Sequence, residues 1–379
     1  MSGKIEDIEI LRGYSIMAVL LQHMDNLFPN LPPALLQFKQ QFAGGFGVDM
    51  FLAISGYLVA YSLLAQLNKH RNFTQQKQLL KAFWLRRAWR LWPAAWLWLT
   101  IILLCVTGFN HSGAFGTLQA NLDATLAGFF HYANFRFAHT FMQSEYGASF
   151  VFWSLSLEEQ CYFILPLLLL IFRRYAPVFL VALAIAQLLT PRIYSLSLIT
   201  LRTDGVILGV LIAYLHHSNY WPVLRDKLLQ LPQWFNQLTL FCAIALLAAL
   251  SGEALAVTYK YSWLALISAY LVLIATLNSN TFIPYLPLKK ILLWLGQHAY
   301  SIYLAHIPVY FAIREILFRL AEKNLLPTTI NSNWLALVLL CVLLPAAVIG
   351  SYALVENPLR RYGRRYSEQQ LKEIRLCNG

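Results

Sequence analysis

Long apolar runs follow one another along nearly the whole chain, each of a length that suits a lipid bilayer. A membrane-crossing helix needs about 20 mostly apolar residues, with a range of roughly 17–25. Ten runs are read from the sequence: 10–28, 45–66, 91–108, 150–172, 176–190, 198–215, 236–251, 261–278, 292–313 and 334–354. The fifth and seventh are the shortest. Inside a bilayer only a helix or a closed barrel satisfies its own backbone, and runs this long are helices. The expected fold is therefore an all-α polytopic membrane bundle of about ten transmembrane helices, forming a single domain over 1–379. Composition agrees. Charged residues make up 12% of the 379 and apolar residues 59%, whereas soluble domains hold about 25% charged and ~45–50% apolar. There is too little charge to cover a water-soluble enzyme of this size or to keep a chain disordered.

The 29 Lys and Arg against 17 Asp and Glu, a net charge of +12, could point to a nucleic acid. In a membrane protein, basic residues instead collect in cytoplasmic loops. An even number of spans puts both termini on one side. With that side cytoplasmic, 21 of the 29 basic residues fall inside, among them Lys4. Outside lie Lys39, Arg136, Arg192, Arg202, Lys260, Arg314, Arg319 and Lys323. The excess is thus an orientation signal, N-in and C-in, and no nucleic-acid partner is expected. Cys105, Cys161, Cys242 and Cys341 lie in apolar runs and Cys377 in the tail. They show neither a disulfide framework nor zinc spacing, and read as packing residues. Glu6, Asp7 and Glu9 precede the first run, and no small-residue cleavage site follows it, so the first helix is expected to stay in the mature protein.

Two connections stand out. The segment 67–90 is basic and interleaved with Phe83, Trp84 and Trp89, a pattern suited to a cytoplasmic loop lying in the membrane interface. The outer segment 109–149 reads either as an ordinary external loop or as a partly inserted lid or acceptor platform. The basic stretch 355–379 reads as a cytoplasmic tail. The lack of an internal repeat counts against transporters built from repeated halves.

Ionisable groups inside spans cost about 2.5–3.5 kcal/mol each at the membrane centre, so the few that are there are the functional candidates. Arg12 and His23 are 11 residues apart, nearly in phase on a helix. Arg12 is either a topological anchor or a cationic mouth, and His23 either a helix-packing hydrogen bonder or a base. Asp49 sits one turn into the second span and needs a cationic or hydrogen-bonding partner, while Ser55 and Gly56 would let another helix approach closely. Arg87 and Arg90, at i and i+3, share a face and either anchor the helix or grip phosphates. The stretch Trp153-Ser154-Leu155-Ser156-Leu157-Glu158-Glu159-Gln160-Cys161-Tyr162 buries two adjacent carboxylates, with Glu158 and Tyr162 on one face. Tyr300, Ser301, Tyr303 and His306 recur in the ninth run. Arg202 and Asp204 are expected to pair with each other or with the carboxylates, and Glu356 to brace the basic end of the chain. By depth, Arg12, Arg87 and Arg90 lie at the cytoplasmic end, and His23, Asp49, Glu158 and His306 in the outer half. This sorting suggests a tunnel open at both ends, with a phosphorylated donor entering from the cytoplasm and an acceptor from outside. Histidine suits proton removal from a hydroxyl near neutral pH.

These blocks, in this order, resemble the acyltransferase family 3 membrane proteins. The likeness runs from Ile10-Leu11-Arg12-Gly13 to Glu356-Asn357-Pro358. It includes the Arg-x10-His of the first run, Gly47-Val48-Asp49 with Ser55-Gly56, Arg87-x-x-Arg90, Trp153-Ser154-Leu155 with Glu158, and Tyr300-Ser301-x-Tyr303-Leu304-x-His306. Met50-Phe51 stands where the family often has Phe-Phe. The resemblance implies a multi-pass protein of the bacterial inner membrane. It would move an acyl group, usually acetyl, from cytoplasmic acetyl-CoA or another acyl-CoA to a hydroxyl of a carbohydrate or lipid-linked saccharide at the cell surface, lipopolysaccharide included. No metal is implied. On this chain it implies His23 as general base or acyl carrier, Arg12, Arg87 and Arg90 as binders of the CoA phosphates, and Glu158 and Asp49 as groups orienting His23 or the acceptor. Many relatives carry an extracytoplasmic hydrolase-like domain after the last span. This chain ends about 20 residues past it, so the form without that domain is expected, with any acyl relay through one absent or in trans. Rival readings are a transporter or flippase of a lipid-linked saccharide, a polysaccharide polymerase or ligase, and a sensor. The polymerase class would place its arginines outside.

Overall fold

The computed structural model describes residues 5–29, 32–67, 69, 72–193, 195–279, 282, 286–325 and 332–376, with the backbone alone for 370–376. Lys4 and Cys377 lie outside the described residues. In chain order the α-helices among them are α1 (Glu6–Gln22), α2 (Pro33–Gln41), α3 (Phe46–Leu67), α4 (Phe73–Gly108), α5 (Leu118–Phe129), α6 (Ala133–Thr140), α7 (Phe152–Phe172), α8 (Ala176–Leu188), α9 (Leu196–Thr200), α10 (Asp204–His216), α11 (Trp221–Leu229), α12 (Gln233–Ser251), α13 (Lys260–Ala275), α14 (Leu286–Gln297), α15 (Ala299–Glu322), α16 (Ser332–Ser351) and α17 (Asn357–Leu376). No strand occurs among the described residues. Among the described residues, seven helical stretches are long and apolar enough to cross a membrane: Pro33–Leu67, Phe73–Gly108, Phe152–Leu188, Leu196–His216, Gln233–Ser251, Ala299–Glu322 and Ser332–Gln369. The chain is an all-α, polytopic integral membrane protein.

Several limits differ from the sequence reading. The basic segment before residue 91 is no loop. Asn72 caps a helix by accepting from the Thr74 N–H at 3.0 Å, and that helix runs 36 residues to Gly108, about 54 Å at 1.5 Å per residue. The stretch 292–313 is broken at His298, between α14 and α15. The tail is helical too: one π turn, Tyr352–Glu356, joins α16 to α17. The apolar α13, with 16 residues, is short for a span, and α1, with 17, carries Glu6, Asp7, Glu9 and Arg12 in its first two turns. A single 3-10 turn at Arg173–Tyr175 joins α7 to α8. Cys105 and Cys161 are half-buried, whereas Cys242 and Cys341 are exposed, so the last two do not pack inside the protein.

The chain forms two compact units. The first comprises residues 1–22, 31–70 and 161–299. Its helices meet backbone to backbone through glycine. A Cβ on Gly56 of α3 would come within 2.1 Å of the Val206 carbonyl oxygen on α10, and one on Gly209 of α10 within 2.2 Å of the Ala53 oxygen on α3. The glycines thus face each other's helix. Gly13 of α1 and Gly296 of α14 form a second such pair, against Leu292 and Glu9. Small residues are what lets apolar helices gain close dispersion contact when lipid competes for every apolar surface.

The second unit comprises residues 23–30, 71–160 and 300–379. The long α4 is its spine. On one side α17 lies along it, with Gly363 against the Trp89 side chain and Tyr362 edge-on to the Trp89 ring at 5.0 Å. On another side α5 lies along it, where Phe129 stacks on Trp96 at 4.8 Å and Gly128 fits against Leu99. The segment 109–149 is therefore largely a helical hairpin, α5 and α6. Its tip, around His131, meets Gln160 and Ser156 of α7.

Gly56→Val should force α3 and α10 apart, because the obstacle is backbone and cannot rotate away. Overpacking of this kind costs about 1–3 kcal/mol. Thermal unfolding in detergent should show a lowered Tm; an unchanged Tm would mean the two helices can separate freely.

Candidate active site

The second unit gathers most of the polar residues singled out in the sequence. His23 is the first residue past α1, in the turn that opens a short 3-10 helix. Its Nδ1 is 3.1 Å from Nε2 of His306 on α15. The rings are tilted, 5.2 Å apart, and Phe150 meets the His23 ring edge-on at 5.5 Å. His306 is fully buried, while His23 is half-buried.

The hydrogen bonds decide which nitrogen does what. His306 Nδ1 is 2.7 Å from the Tyr303 carbonyl oxygen. A carbonyl only accepts, so that nitrogen carries hydrogen. Burial disfavours charge on an imidazole without an anion beside it. The neutral ring then presents a lone pair at Nε2, which accepts from His23 Nδ1–H. Neutral His23 in turn keeps its lone pair at Nε2, the position a base needs. The tautomer of a histidine is set by the bond its other nitrogen makes, and here the partner is a second histidine.

Below the imidazole pair the polar residues continue along α15 and α7. The buried Tyr303 hydroxyl donates to the Val151 carbonyl at 2.9 Å and lies 2.6 Å from Ser154 Oγ. One turn further, the Tyr300 hydroxyl donates to the Leu91 carbonyl at 2.6 Å. Ser301 donates to Glu356 at 2.6 Å, so the partner of this buried acid is a serine rather than the arginines that follow it. Glu159 is buried and accepts from Trp92 Nε1–H at 3.4 Å, while Glu158 is half-buried. Arg87 and Arg90 act electrostatically on Glu159. Arg87 lies over the Phe83 ring at 5.6 Å. The buried Nε of Arg90 has no hydrogen-bond partner among the described residues. Trp153 stacks on Phe137 at 5.7 Å.

The segment 109–149 is braced from several directions. Glu315, fully buried on α15, accepts from the backbone N–H of His111 at 2.9 Å and of Ser112 at 2.8 Å, and from Arg319 at 2.6 Å. Asn121 is bonded to Phe115, Thr117 and Ala148. At the hairpin tip, where His131 has φ of 57°, Gln160 donates to the His131 carbonyl and Ala133 N–H donates to Ser156 Oγ. Arg136 lies over Tyr146 at 4.2 Å and donates to its carbonyl at 2.7 Å; burial pushes the Tyr146 phenol up to about 12.

The remaining candidates belong to the first unit. Arg12 pairs with Glu9 at 3.3 Å, one turn earlier on α1. Asp49 is buried and bound by both arms of Arg202, at 2.7 and 3.1 Å. Asp204 pairs with the buried Arg192 at 2.8 Å. Ser55 and Tyr162 share a hydrogen bond of 2.5 Å. Asp49 thus has the cationic partner its position called for, and its carboxylate is committed to it.

Three side chains, Trp92, Gln160 and Glu315, and the direct His23–His306 contact have no role assigned from the sequence alone. The two histidines are 283 positions apart, and no spacing reports such a contact. Glu315 alone left a local trace, an acid in an apolar helix with Arg319 at i+4.

The second unit thus carries a buried imidazole pair, a file of hydroxyls, and carboxylates with arginines, inside a protein whose fold is that of a polytopic membrane bundle. A family profile described as an acyltransferase domain matches residues 5–356, and the chain belongs to that family. It is 26% identical over 383 residues to the peptidoglycan O-acetyltransferase OatA of Listeria monocytogenes, covering 95% of this chain and 56% of that protein. It is 24% identical over 393 residues to a putative peptidoglycan O-acetyltransferase, YrhL, of Bacillus subtilis, with the same coverage. A putative O-acetyltransferase of Staphylococcus aureus matches at 26% over 392 residues, 95% of this chain and 58% of its own length. The chain thus spans little more than half of these relatives. No solved structure matches it.

Removing one partner of a buried ion pair costs about 3–5 kcal/mol. Asp49→Ala should therefore lower the detergent Tm sharply, and Asp49→Leu with Arg202→Met should recover much of the loss. If Asp49→Ala unfolds at the wild-type temperature, the pair does not hold the first unit together.

Proposed function

We propose that this protein is a bacterial inner-membrane O-acyltransferase. It would move an acetyl group from cytoplasmic acetyl-CoA to a hydroxyl of a cell-surface carbohydrate, with both termini in the cytoplasm and one acyltransferase domain over the chain. The observation that carries the reading is the His23–His306 pair. It fixes the tautomer and the orientation of the half-buried His23 ring, so that Nε2 rather than Nδ1 is the basic nitrogen. General-base catalysis needs this arrangement: a group that takes the hydroxyl proton as oxygen attacks the acyl carbon. His306 is then a positioning residue that acts through His23.

The donor end is assigned to Arg87 and Arg90. The orphaned Nε of Arg90 supports this, because a buried donor without a partner is costly unless a ligand completes it. A phosphate of CoA is a suitable acceptor. Arg12, with its bond to Glu9, is assigned a lesser share in phosphate binding. Glu158, half-buried and ahead of the buried Glu159, is assigned to orienting the acceptor. Asp49, Ser55 and Tyr162 support the first unit. Peptidoglycan, the acceptor in the names of two relatives, is the acceptor to try first.

His23→Ala should lower transfer of label from acetyl-CoA by ~10²-fold or more, with unchanged abundance in the membrane. Transfer at the wild-type rate would remove His23 from the mechanism. Arg90→Ala should weaken acetyl-CoA binding by about 1.5–3 kcal/mol, the worth of a hydrogen bond to a charged group. Equal affinity in a titration of the purified protein would leave Arg90 as a helix anchor only.

A further inference from the structure

We infer that the turn Ser149–Val151, entering α7, is the oxyanion site for acyl transfer, with the Ser149 hydroxyl as one of its donors. This rests on the acyltransferase reading above. Transfer of an acyl group passes through a tetrahedral intermediate whose oxygen becomes negative, and donors aimed at that oxygen in advance are a large part of catalysis. His23 supplies a base but no such donor.

Three observations converge on this turn. Ser149 is 1% exposed, and its Oγ has no hydrogen-bond partner among the described residues. A buried hydroxyl left bare is destabilising and calls for an explanation. Next, the turn leads into a helix of 21 residues, whose first N–H groups carry the positive end of the helix dipole. Phe152 N–H and Trp153 N–H bond back to the Ser149 and Phe150 carbonyls. Last, the ring of Phe150 lies edge-on to the ring of His23, 5.5 Å centre to centre, which puts Ser149 one residue from a contact of the base.

The turn is also held in advance. Gly147, with φ of 101°, lies against Asn121, whose Oδ1 accepts from Ala148 N–H at 2.8 Å. Tyr303 donates to the Val151 carbonyl at 2.9 Å. Donors fixed from both sides need no reorganisation as charge develops.

The step balances as follows. The acceptor oxygen bonds to the acyl carbon and its proton goes to His23 Nε2. The carbonyl electron pair moves to oxygen, which accepts from the Ser149 hydroxyl at the positive end of the α7 dipole. The pair returns, the carbon–sulfur bond breaks, and the departing thiolate takes the proton from His23.

The test compares Ser149→Ala and Ser149→Thr in the full-length protein in detergent, reading labelled transfer from acetyl-CoA, the pH profile and Tm. Ser149→Ala should lower kcat by ~10²-fold, leave KM and the pH profile in place, and hold or raise Tm, because a bare buried hydroxyl is gone. Ser149→Thr, which keeps the hydroxyl, should retain more of kcat. A kcat for Ser149→Ala within about threefold of wild type overturns the assignment, and so does loss of folding in that variant, since the hydroxyl would then have a structural role. A wild-type protein that transfers no label would instead overturn the acyltransferase reading.

Discussion

A charged group among apolar helices is tolerable only with a partner, and much of this structure is arranged around that requirement. Asp49 is gripped by Arg202, Asp204 by Arg192, and Glu315 by Arg319 with two backbone N–H groups. None of these carboxylates lies next to its cation in sequence except Glu315, so satisfying them dictates which helices meet. In the first unit this requirement joins the entry to α10 to α3. In the second it ties the start of the 109–149 segment to α15.

Glycine contacts and ion pairs act together. The Gly56 and Gly209 contacts bring the α3 and α10 backbones close, and Arg202, two residues before α10, is thereby brought to Asp49 near the start of α3. Either feature alone would be weak. Glycine on a helix lowers its intrinsic stability, and a buried ion pair can cost as much in desolvation as it returns. In combination, the close approach excludes solvent and lipid from the pair, and the pair sets the register of the approach.

In the second unit the same logic leaves openings. Arg90 Nε and Ser149 Oγ are buried polar groups without hydrogen-bond partners among the described residues. The hairpin of α5 and α6 has its tip backbone completed by Gln160 and Ser156, so that segment has few polar groups to spare. The two unpartnered groups lie at the ends of the polar file, Arg90 beside Arg87 and Ser149 next to Phe150, whose ring meets His23. Proteins satisfy buried polar groups so consistently that each exception calls for an explanation, and a bound ligand is the one proposed for these two.

By itself the sequence determined the class of fold, the family, and the residues to watch. Apolar length, scarce charge and the order of motifs are local properties that survive without coordinates. It also determined that Asp49 requires a partner, because the cost of a bare carboxylate at that depth needs no neighbour to compute. What it could not determine was who the partners are. His23 meets His306, Asp49 meets Arg202, and Ser154 meets Tyr303 across separations of 283, 153 and 149 positions. The segment before residue 91 reads as a loop because its many cations mask a helix of ordinary propensity, and 109–149 stays open between an external loop and a lid or platform because α5 and α6 are too short to read as spans. Only the tertiary structure decided these points: pairing and depth depend on which helix faces are brought together, and that is set by close packing over the whole of each unit rather than by any stretch of its sequence.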